Sequence, residues 1–304
     1  MTSAAFASPA ELAAALDAVG YLPDDGVATA AYLALAMRRP LFVEGDAGVG
    51  KTALAQSLAE VLGAPLIRLQ CYEGIDASQA LYDWDFPRQL LHLRAVEAAA
   101  HGAAGGSTDA DRLEGELYSR RFLIARPLLQ AIETSPSVLL VDEVDRADDE
   151  FEAFLLEVLS DFTVSIPELG TIRAESPPVV VVTSNRTREV HDALKRRCLY
   201  HWVEHPSFER EVAIVRRRCP AASDRLAAQV TAAVQRLRDE DLLKPPGVAE
   251  TLDWTEALLA LGAHELDADT ATRTLGAVLK YREDHDRVAR GGLQDLLAEA
   301  VGGA

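Results

Sequence analysis

The sequence predicts a doubly wound α/β domain followed by an all-α region. Five short, almost continuously apolar runs occur before the helical region, at 40–44, 65–69, 137–142, 179–183 and 199–203. Parallel strands buried on both faces have this composition, and helical patterns separate the runs, as an α/β fold requires. From Pro206 onward the pattern is helical only. We therefore expect a five-stranded, mostly parallel sheet between helices over 1–205 and a helical domain over 206–304.

Local signals mark the ends of several helices. Ser8 precedes Pro9 at the start of the first helical segment, the pattern of a capped amphipathic helix. The segment after the first strand, TALAQSLAEVLG, has helical period and stops at Gly63. The segment after the third strand carries an apolar stripe that core packing explains without a ligand: Phe151, Phe154, Leu155, Val158, Leu159 and Phe162.

Three further stretches interrupt the alternation of strands and helices. In FTVSIPELGTIRAE (162–175), Pro167 and Gly170 lie between two β-prone arms, which predicts a projecting hairpin. The segments 101–112 and 289–304 have the composition of a flexible surface loop and a loose tail. We expect regular structure in the first stretch only.

The composition argues against several classes of protein. The chain has 48 acidic and 30 basic side chains among 304 residues, a formal charge of −18. That field disfavours open-ended binding to nucleic acid, which depends on Lys and Arg contacts to phosphate, although 195–197 is a local basic patch. Three widely spaced cysteines fit a reducing compartment, and no apolar run approaches membrane-spanning length. We expect a cytoplasmic protein with no integral membrane segment and no nucleic-acid partner.

A glycine-rich turn joins the first predicted strand to its helix. Its sequence, Gly45-x-x-x-x-Gly50-Lys51-Thr52, matches the phosphate-binding loop, or P-loop. Glycines leave room for backbone N–H groups to face a phosphate, and the helix N-terminus adds its dipole. Lys51 would reach the β- and γ-phosphates, and the Thr52 hydroxyl would ligate Mg²⁺. We expect the nucleotide to contact the whole loop: Gly45, Asp46, Ala47, Gly48, Val49, Gly50, Lys51, Thr52 and Ala53.

The third predicted strand, VLLVD, delivers two acids to its end. Asp142 would hold Mg²⁺, directly or through water. Glu143 is the natural general base that polarises the attacking water. Further acids follow, and we assign them to a solvated helix start, where the helix dipole favours negative charge: Asp145, Asp148, Asp149 and Glu150.

Two more candidate features surround the fourth and fifth strands. Asn185, at the end of VVVVTSN, would reach between the phosphates and orient the water, although asparagine is also common in turns. Arg196 and Arg197 precede the fifth strand in DALKRRC. An arginine there would project to the γ-phosphate of a neighbouring subunit and stabilise transition-state charge, unless the segment is simply a basic surface turn.

The chain resembles the AAA+ ATPases over nearly its whole length. The resemblance is carried by the P-loop, VLLVDE, VTSN and RRC in this order, followed by a helical region. The resemblance implies ATP and Mg²⁺ as cofactors and Asn185 as the first sensor. It also implies Arg197 as the arginine finger, the arginine that projects to the γ-phosphate of a neighbouring subunit, with Arg196 as the alternative. It also implies that the region from Pro206 is the lid. The hairpin and an insertion in QCYEGIDASQALYDWDFPRQLLHLR are similar to those of the MoxR branch. That branch implies a hexameric ring, a partner with a von Willebrand factor A domain, and a client metalloenzyme.

Two segments resemble a narrower group within that branch, RLQCYEGIDASQALYDWDFPRQLL and TSNRTREVHDALKRRCLYHWVEHPSFERE. They look like the accessory ATPases encoded beside aerobic molybdenum–copper carbon monoxide dehydrogenases and related molybdenum hydroxylases. This resemblance implies a role in maturing that metal centre. The aromatic and acidic residues of the first segment would be client or pore contacts, or alternatively part of a surface helix.

The lid departs from the family pattern at the second-sensor arginine. MoxR-type lids often read PRA at the start of a late helix, whereas ETLDWTEAL, with Asp253 and Trp254, stands at the matching place. Lys244 and Arg273 are near in sequence, but neither aligns. The coupling between nucleotide and lid is therefore weakened or runs through another residue.

The cysteines and histidines lack the spacing of a metal site. Copper(I) prefers paired thiolates, whereas Cys71, Cys198 and Cys219 are single and far apart in sequence, so we expect buried structural thiols. The histidines, including His201 and His205, show no ligand spacing.

ATP-driven remodelling of a client is the leading hypothesis. The alternative is a nucleotide-dependent scaffold or chaperone for another client, with little intrinsic turnover. The missing second sensor favours this alternative, whereas Glu143, Asn185 and Arg197 oppose it. A DNA motor or clamp loader conflicts with the sequence pI of about 4.8. A GTPase would carry an Asn-Lys-x-Asp motif, which the sequence lacks, and a small-molecule kinase would need no finger arginine.

Overall fold

The computed structural model describes residues 6–102 and 110–290. The strands are β1 (Leu41–Gly45), β2 (Leu66–Gln70), β3 (Tyr82–Trp84), β4 (Leu123–Ala125), β5 (Val138–Asp142), β6 (Thr163–Ile166), β7 (Gly170–Arg173), β8 (Val179–Ser184) and β9 (Leu199–Val203). The helices are α1 (Pro9–Ala18), α2 (Asp25–Met37), α3 (Lys51–Val61), α4 (Ala77–Leu81), α5 (Phe86–Gly102), α6 (Ala110–Leu117), α7 (Pro127–Glu133), α8 (Asp149–Asp161), α9 (Asp192–Arg197), α10 (Phe208–Arg218), α11 (Asp224–Asp239), α12 (Val248–Ala260), α13 (Ala268–Val278) and α14 (Arg282–Arg290).

Five strands form one sheet in the order β2-β5-β8-β1-β9. The pairs β2–β5 and β5–β8 are parallel, with Val138 opposite both Leu66 and Val179. Every residue of β5 is buried, because helices cover both faces of such a sheet. The predicted α/β fold with a five-stranded sheet is confirmed.

The described chain divides into two compact units. The first comprises Leu33–Phe42 and Leu58–Tyr200. The second comprises Phe6–Tyr32, Val43–Ser57 and the described residues from His201 onward. The domain boundary at residue 205 stays a prediction.

The core of the first unit contains the central strands and the apolar face of α8. Phe151, Leu155, Val158 and Leu159 are buried there, and Phe154 and Phe162 pack against them, as the stripe predicts. The predicted hairpin forms, since β6 and β7 pair antiparallel with Ile166 opposite Gly170.

The insertion after β2 folds as α4, β3 and the start of α5, and β3 pairs antiparallel with β4. Four of its apolar side chains are exposed: Tyr72, Phe86, Leu90 and Leu91. The surface loop predicted over 101–112 falls largely on 103–109, outside the described residues, and so does the predicted tail from residue 291 onward.

The second unit has a helical core around Trp254, which is fully buried. The first helix begins as predicted, with the Ser8 hydroxyl accepting the Glu11 N–H at 3.2 Å. The helical sequence pattern over 267–287 forms two helices, because the chain turns extended at Leu279 between α13 and α14. The break lets Leu279 and Val288 both join the core. Among the described helices, none has the length and apolar character needed to cross a membrane.

Candidate active site

The P-loop, in the second unit, runs from the end of β1 into the first turn of α3. Gly48 has φ of +79°, a conformation that L side chains rarely adopt, so the turn needs glycine there. Lys51 is buried, and its ammonium donates to the carbonyl oxygens of Gly45 and Asp46 at 2.7 and 2.6 Å. Thr52 follows it in α3. The loop is thus folded around the lysine.

The first turn of α12 lies on the P-loop within the same unit. The Ala249 N–H donates to the Gly48 carbonyl oxygen at 3.1 Å. A Cβ on Gly247 would lie 2.5 Å from the Ala47 carbonyl oxygen, closer than real Cβ atoms come, so this approach requires glycine. The Glu250 carboxylate accepts the Gly247 N–H at 2.9 Å, which stabilises the helix start. The main chain of α12 therefore contacts the phosphate-binding turn directly.

The residues that contact the P-loop are not those at the place that matched the second sensor. Trp254, at the place that matched the second sensor, donates its indole N–H to the Thr274 hydroxyl at 2.8 Å within the helical core. The residues of α12 that reach the P-loop lie one turn earlier, at 247–250. Sequence reasoning missed them, although a glycine before a helix whose third residue is glutamate is a helix-start signal.

At the strand ends of the first unit, Thr183 joins β8 to β5. Its hydroxyl donates to one carboxylate oxygen of Asp142 at 2.5 Å and accepts the Glu143 N–H at 2.9 Å. The other oxygen of Asp142 accepts Nε and Nη2 of Arg68 at 3.0 and 2.6 Å. Asp142 is buried, so these charge-assisted bonds hold its carboxylate in one orientation. No sequence pattern marks Thr183 or Arg68 as part of the site.

Glu143 and Asn185 lie together. The Asn185 amide donates to one oxygen of Glu143 at 3.2 Å, and the Gln70 amide donates to the other at 3.2 Å. The Arg146 guanidinium pairs with the same Glu143 carboxylate at 2.9 Å. Glu143 has φ of +55°, in the sparsely populated left-handed region. The structure thus brings two of the predicted catalytic residues into direct contact at the ends of neighbouring strands.

One acidic assignment is wrong. Asp145 is buried, at 3% exposure, and is not part of a solvated helix start. Its carboxylate accepts the Asn185 N–H at 3.2 Å and the N–H and hydroxyl of Thr187 at 2.8 and 2.6 Å. Asp145 therefore anchors the loop that carries Asn185. Asp148 does cap α8 as expected, accepting the Phe151 N–H at 2.8 Å.

Both candidate finger arginines lie in the last turn of α9. The side chains of Arg196 and Arg197 are exposed. The ammonium of Lys195, by contrast, lies 5.7 Å from the centroid of the Phe42 ring. The structure leaves Arg196 and Arg197 as alternatives and turns Lys195 toward the protein.

The cysteines are free and buried, as expected. Burial raises the pKa of the Cys71 thiol and of the Cys198 thiol to about 12, so both are neutral near pH 7. Over residues 6–102 and 110–290, no group of three or more His, Cys, Asp and Glu side chains is arranged to hold a metal ion. His205 lies 3.5 Å from the carboxylate of Asp46 beside the P-loop, and burial lowers its pKa.

The chemistry of these groups fits ATP and Mg²⁺. Lys51 already binds two oxygen atoms inside a turn whose geometry suits phosphate. The Thr52 hydroxyl and the Asp142 carboxylate are hard oxygen donors, the type that Mg²⁺ prefers.

A family model for the AAA domain of the dynein-related subfamily matches residues 40–198. The chain belongs to this family. The matched region contains the P-loop, both strand ends and α9. The resemblance to MoxR-type AAA+ ATPases is confirmed, and this AAA protein is a P-loop ATPase that uses ATP with Mg²⁺.

The chain is also similar to individual proteins, over different lengths. The chain is 25% identical over 297 residues to protein NorQ of Paracoccus denitrificans (strain Pd 1222), which covers 95% of this chain and 96% of NorQ. A match to midasin of Giardia intestinalis is 46% identical over 48 residues, 16% of this chain and 1% of midasin. The RuvB Holliday junction branch migration motor of Thermotoga maritima matches with 15% identity and a TM-score of 0.46, covering 96% of this chain and 80% of the RuvB chain.

Proposed function

We propose that the P-loop and the strand ends of this AAA protein act on one ATP. The observation that carries this proposal is the hydrogen-bonded group of Asp142, Glu143 and Asn185 at the ends of β5 and β8. Glu143 would take a proton from the attacking water, and Asn185, already bonded to that carboxylate, would orient the water. Lys51 would bind the β- and γ-phosphate oxygens.

Thr52 and Asp142 would hold Mg²⁺, which when bound supplies positive charge to the phosphate oxygens. Asp142 is well prepared for this role, because Thr183 and Arg68 orient its two oxygens. Arg197, or Arg196, would complete the site from a neighbouring subunit.

Two substitutions separate binding from hydrolysis. Glu143→Gln should bind ATP with nearly unchanged affinity but hydrolyse it at least about a hundredfold more slowly, as loss of a general base implies. Lys51→Ala should abolish binding. Glu150→Gln is the matched control, because it neutralises an exposed acid at the start of α8. Full turnover by Glu143→Gln would refute the assignment of the base.

We further propose that the chain assembles into a homo-oligomeric ring, a hexamer, with the helical region from residue 206 as its lid. The support is the exposure of Arg196 and Arg197, which suits groups that act on a neighbour. Specific ATPase activity should rise with protein concentration, in step with a ring-sized species in light scattering. Arg197→Ala should keep nucleotide binding and lose assembly-dependent turnover; if Arg196→Ala does so instead, the finger is Arg196. Flat turnover by a monomer would refute the shared site.

We propose that the client is a molybdenum hydroxylase with a Mo/Cu centre, reached with a partner that bears a von Willebrand factor A domain. The support is the resemblance carried by 68–91 and 183–211. The test is to express the hydroxylase with its partner and with wild type, Lys51→Ala or Glu143→Gln, and to measure bound molybdenum, copper and hydroxylase activity.

The same test distinguishes a motor from a scaffold. A remodelling motor predicts that both variants leave the centre incomplete. A nucleotide-dependent scaffold predicts that Glu143→Gln, which binds ATP, supports maturation while Lys51→Ala does not. A complete centre with both variants, or without the ATPase, would refute this client.

A further inference from the structure

Arg39 contacts the end of α9 with an unusual concentration of hydrogen bonds. Its Nε donates to the carbonyl oxygen of Arg197 at 3.0 Å, and its Nη2 donates to those of Arg196 and Cys198 at 2.8 and 3.2 Å. The acceptors are the main-chain groups of the two candidate finger residues and of the residue that follows them. One guanidinium therefore holds the whole turn.

The physical reason for this contact lies at the carboxyl end of α9. A helix leaves its last carbonyl groups without intrahelical partners, and they carry partial negative charge. Arginine suits them, because its planar fork donates several hydrogen bonds in fixed directions and stays charged. A lysine would offer a single point of attachment.

Arg39 is itself held in place. Its N–H donates to the Ala34 carbonyl oxygen at 3.1 Å, just after the end of α2. The next residue, Pro40, accepts the N–H of Leu199 at 2.8 Å. The turn after α9 is thus attached at two points to the short segment 39–40.

The attachment fixes the main chain of the turn and leaves its two arginine side chains outside. Arg196 and Arg197 remain exposed, whereas Lys195 lies over the Phe42 ring. Long exposed side chains are aimed by the backbone that carries them. A shift of the turn would therefore move both guanidinium groups.

We propose that Arg39 is a positioning residue for the arginine finger, and that each subunit's Arg39 controls hydrolysis at its neighbour's ATP site. This inference rests on the proposed role of Arg197 or Arg196. Loss of Arg39 should lower kcat and leave the KM for ATP nearly unchanged, because ATP binding belongs to the other subunit's P-loop. A misplacement of about 1 Å costs on the order of a hundredfold in rate, so Arg39→Ala should lose roughly that factor.

Arg39→Ala and Arg39→Lys are compared with Arg112→Ala, which removes an exposed arginine elsewhere in the first unit. ATP affinity and assembly by light scattering should be unchanged in all three variants. Turnover should be lowest for Arg39→Ala, intermediate for Arg39→Lys and unaltered for Arg112→Ala. If Arg39→Ala does not fold, Arg39→Lys replaces it in the mixing experiment below.

Mixed assemblies test whether the effect acts on the neighbour. Arg39→Ala subunits are coexpressed with Glu143→Gln subunits under a second affinity tag, and assemblies that carry both tags are purified. A Glu143→Gln subunit hydrolyses ATP at least about a hundredfold more slowly than wild type but keeps its own Arg39 and finger. In a random head-to-tail ring with equal numbers of both subunits, about half of the Arg39→Ala subunits have a Glu143→Gln neighbour that supplies an intact finger. ATPase activity per Arg39→Ala subunit should therefore rise toward about half of the wild-type value.

Arg197→Ala mixed with Glu143→Gln, and its Arg196→Ala counterpart, separate the two proposals. Rescue of a finger variant together with Arg39→Ala supports the positioning role. Rescue of a finger variant without rescue of Arg39→Ala overturns that role and leaves the shared site standing. If no mixture regains activity, the shared site and the positioning role are both refuted. In the kinetic experiment, a raised KM or lost ATP binding in Arg39→Ala would assign Arg39 a purely structural role.

Discussion

Replacing Thr183 by valine removes one oxygen atom from the centre of the strand-end group. Valine has nearly the same shape, so the buried volume is retained. The change deletes the donor to Asp142 at 2.5 Å and the acceptor of the Glu143 N–H at 2.9 Å. Because Thr183 is 1% exposed, water cannot easily replace either partner.

The size of the effect follows from these two bonds. A hydrogen bond to a charged group contributes about 1.5–3 kcal/mol and a neutral one about 0.5–1.5 kcal/mol, so Thr183→Val should lower the free energy of unfolding by about 2–4 kcal/mol. The Glu143 backbone would also lose the bond that helps to hold it at φ of +55°, a conformation that costs about 1–3 kcal/mol. Relaxation of Glu143 away from Asn185 should reduce kcat by on the order of a hundredfold.

Thr183→Ser is the matched control, because it keeps the hydroxyl and loses only a methyl group, worth about 1 kcal/mol. Urea unfolding gives the free energy of unfolding of both variants, and steady-state ATPase assays give their kcat. Thr183→Ser should keep most of the activity. Equal stability and equal kcat for the two variants would refute the argument, since the hydroxyl would then contribute nothing.

Three other predictions concern buried or half-buried groups. Arg238→Met should lower the free energy of unfolding in urea by about 3–5 kcal/mol, because it leaves the buried Glu211 carboxylate without its guanidinium partner and with only the Thr251 and Gln235 donors. Arg238→Met combined with Glu211→Met should recover most of this loss, and no recovery would refute the pairing. The thiol of Cys71, with its pKa near 12, should resist iodoacetamide at pH 8 until the protein is unfolded, and rapid native labelling would contradict its burial. Burial and the nearby charge of Arg238 lower the pKa of His205 more than the carboxylate of Asp46 raises it, so the folded protein binds its proton less readily than the unfolded chain. The stability that His205 contributes is therefore present above about pH 6.5 and is lost as the pH drops below that value. In urea unfolding measured at several pH values, His205→Gln should reduce this pH-dependent loss of stability. An unchanged dependence of stability on pH would exclude His205 as its source.

The strand-end residues show why part of the site could be predicted from the sequence. Asp142 ends one buried apolar strand and Asn185 follows another. Neighbouring parallel strands deliver their carboxyl ends to the same edge of a sheet. Because β5 and β8 are neighbours in the sheet, the shared chain direction brings these side chains close together. The P-loop is local in the same sense, because its glycines, Lys51 and the start of α3 are consecutive.

Asp145 shows where that reasoning stops. In sequence it belongs to a run of acids before a helix, and that context favours a solvated position. In the structure the loop after β8, 40 residues away, supplies its hydrogen-bond donors. No local signal distinguishes an acid that meets such a loop from one that meets water.

The sequence by itself determined where the five sheet strands lie along the chain, the position of the P-loop and the residues delivered to the ends of β5 and β8. These features depend on apolar periodicity, glycine turns and chain direction, which are properties of short segments. Only the tertiary structure decided the partners of those residues: Thr183 bonds to Asp142 across 41 positions, and Arg39 bonds to Arg196 across 157. A long-range hydrogen bond forms where packing brings a donor and an acceptor within about 3 Å, and that distance depends on how the whole core closes.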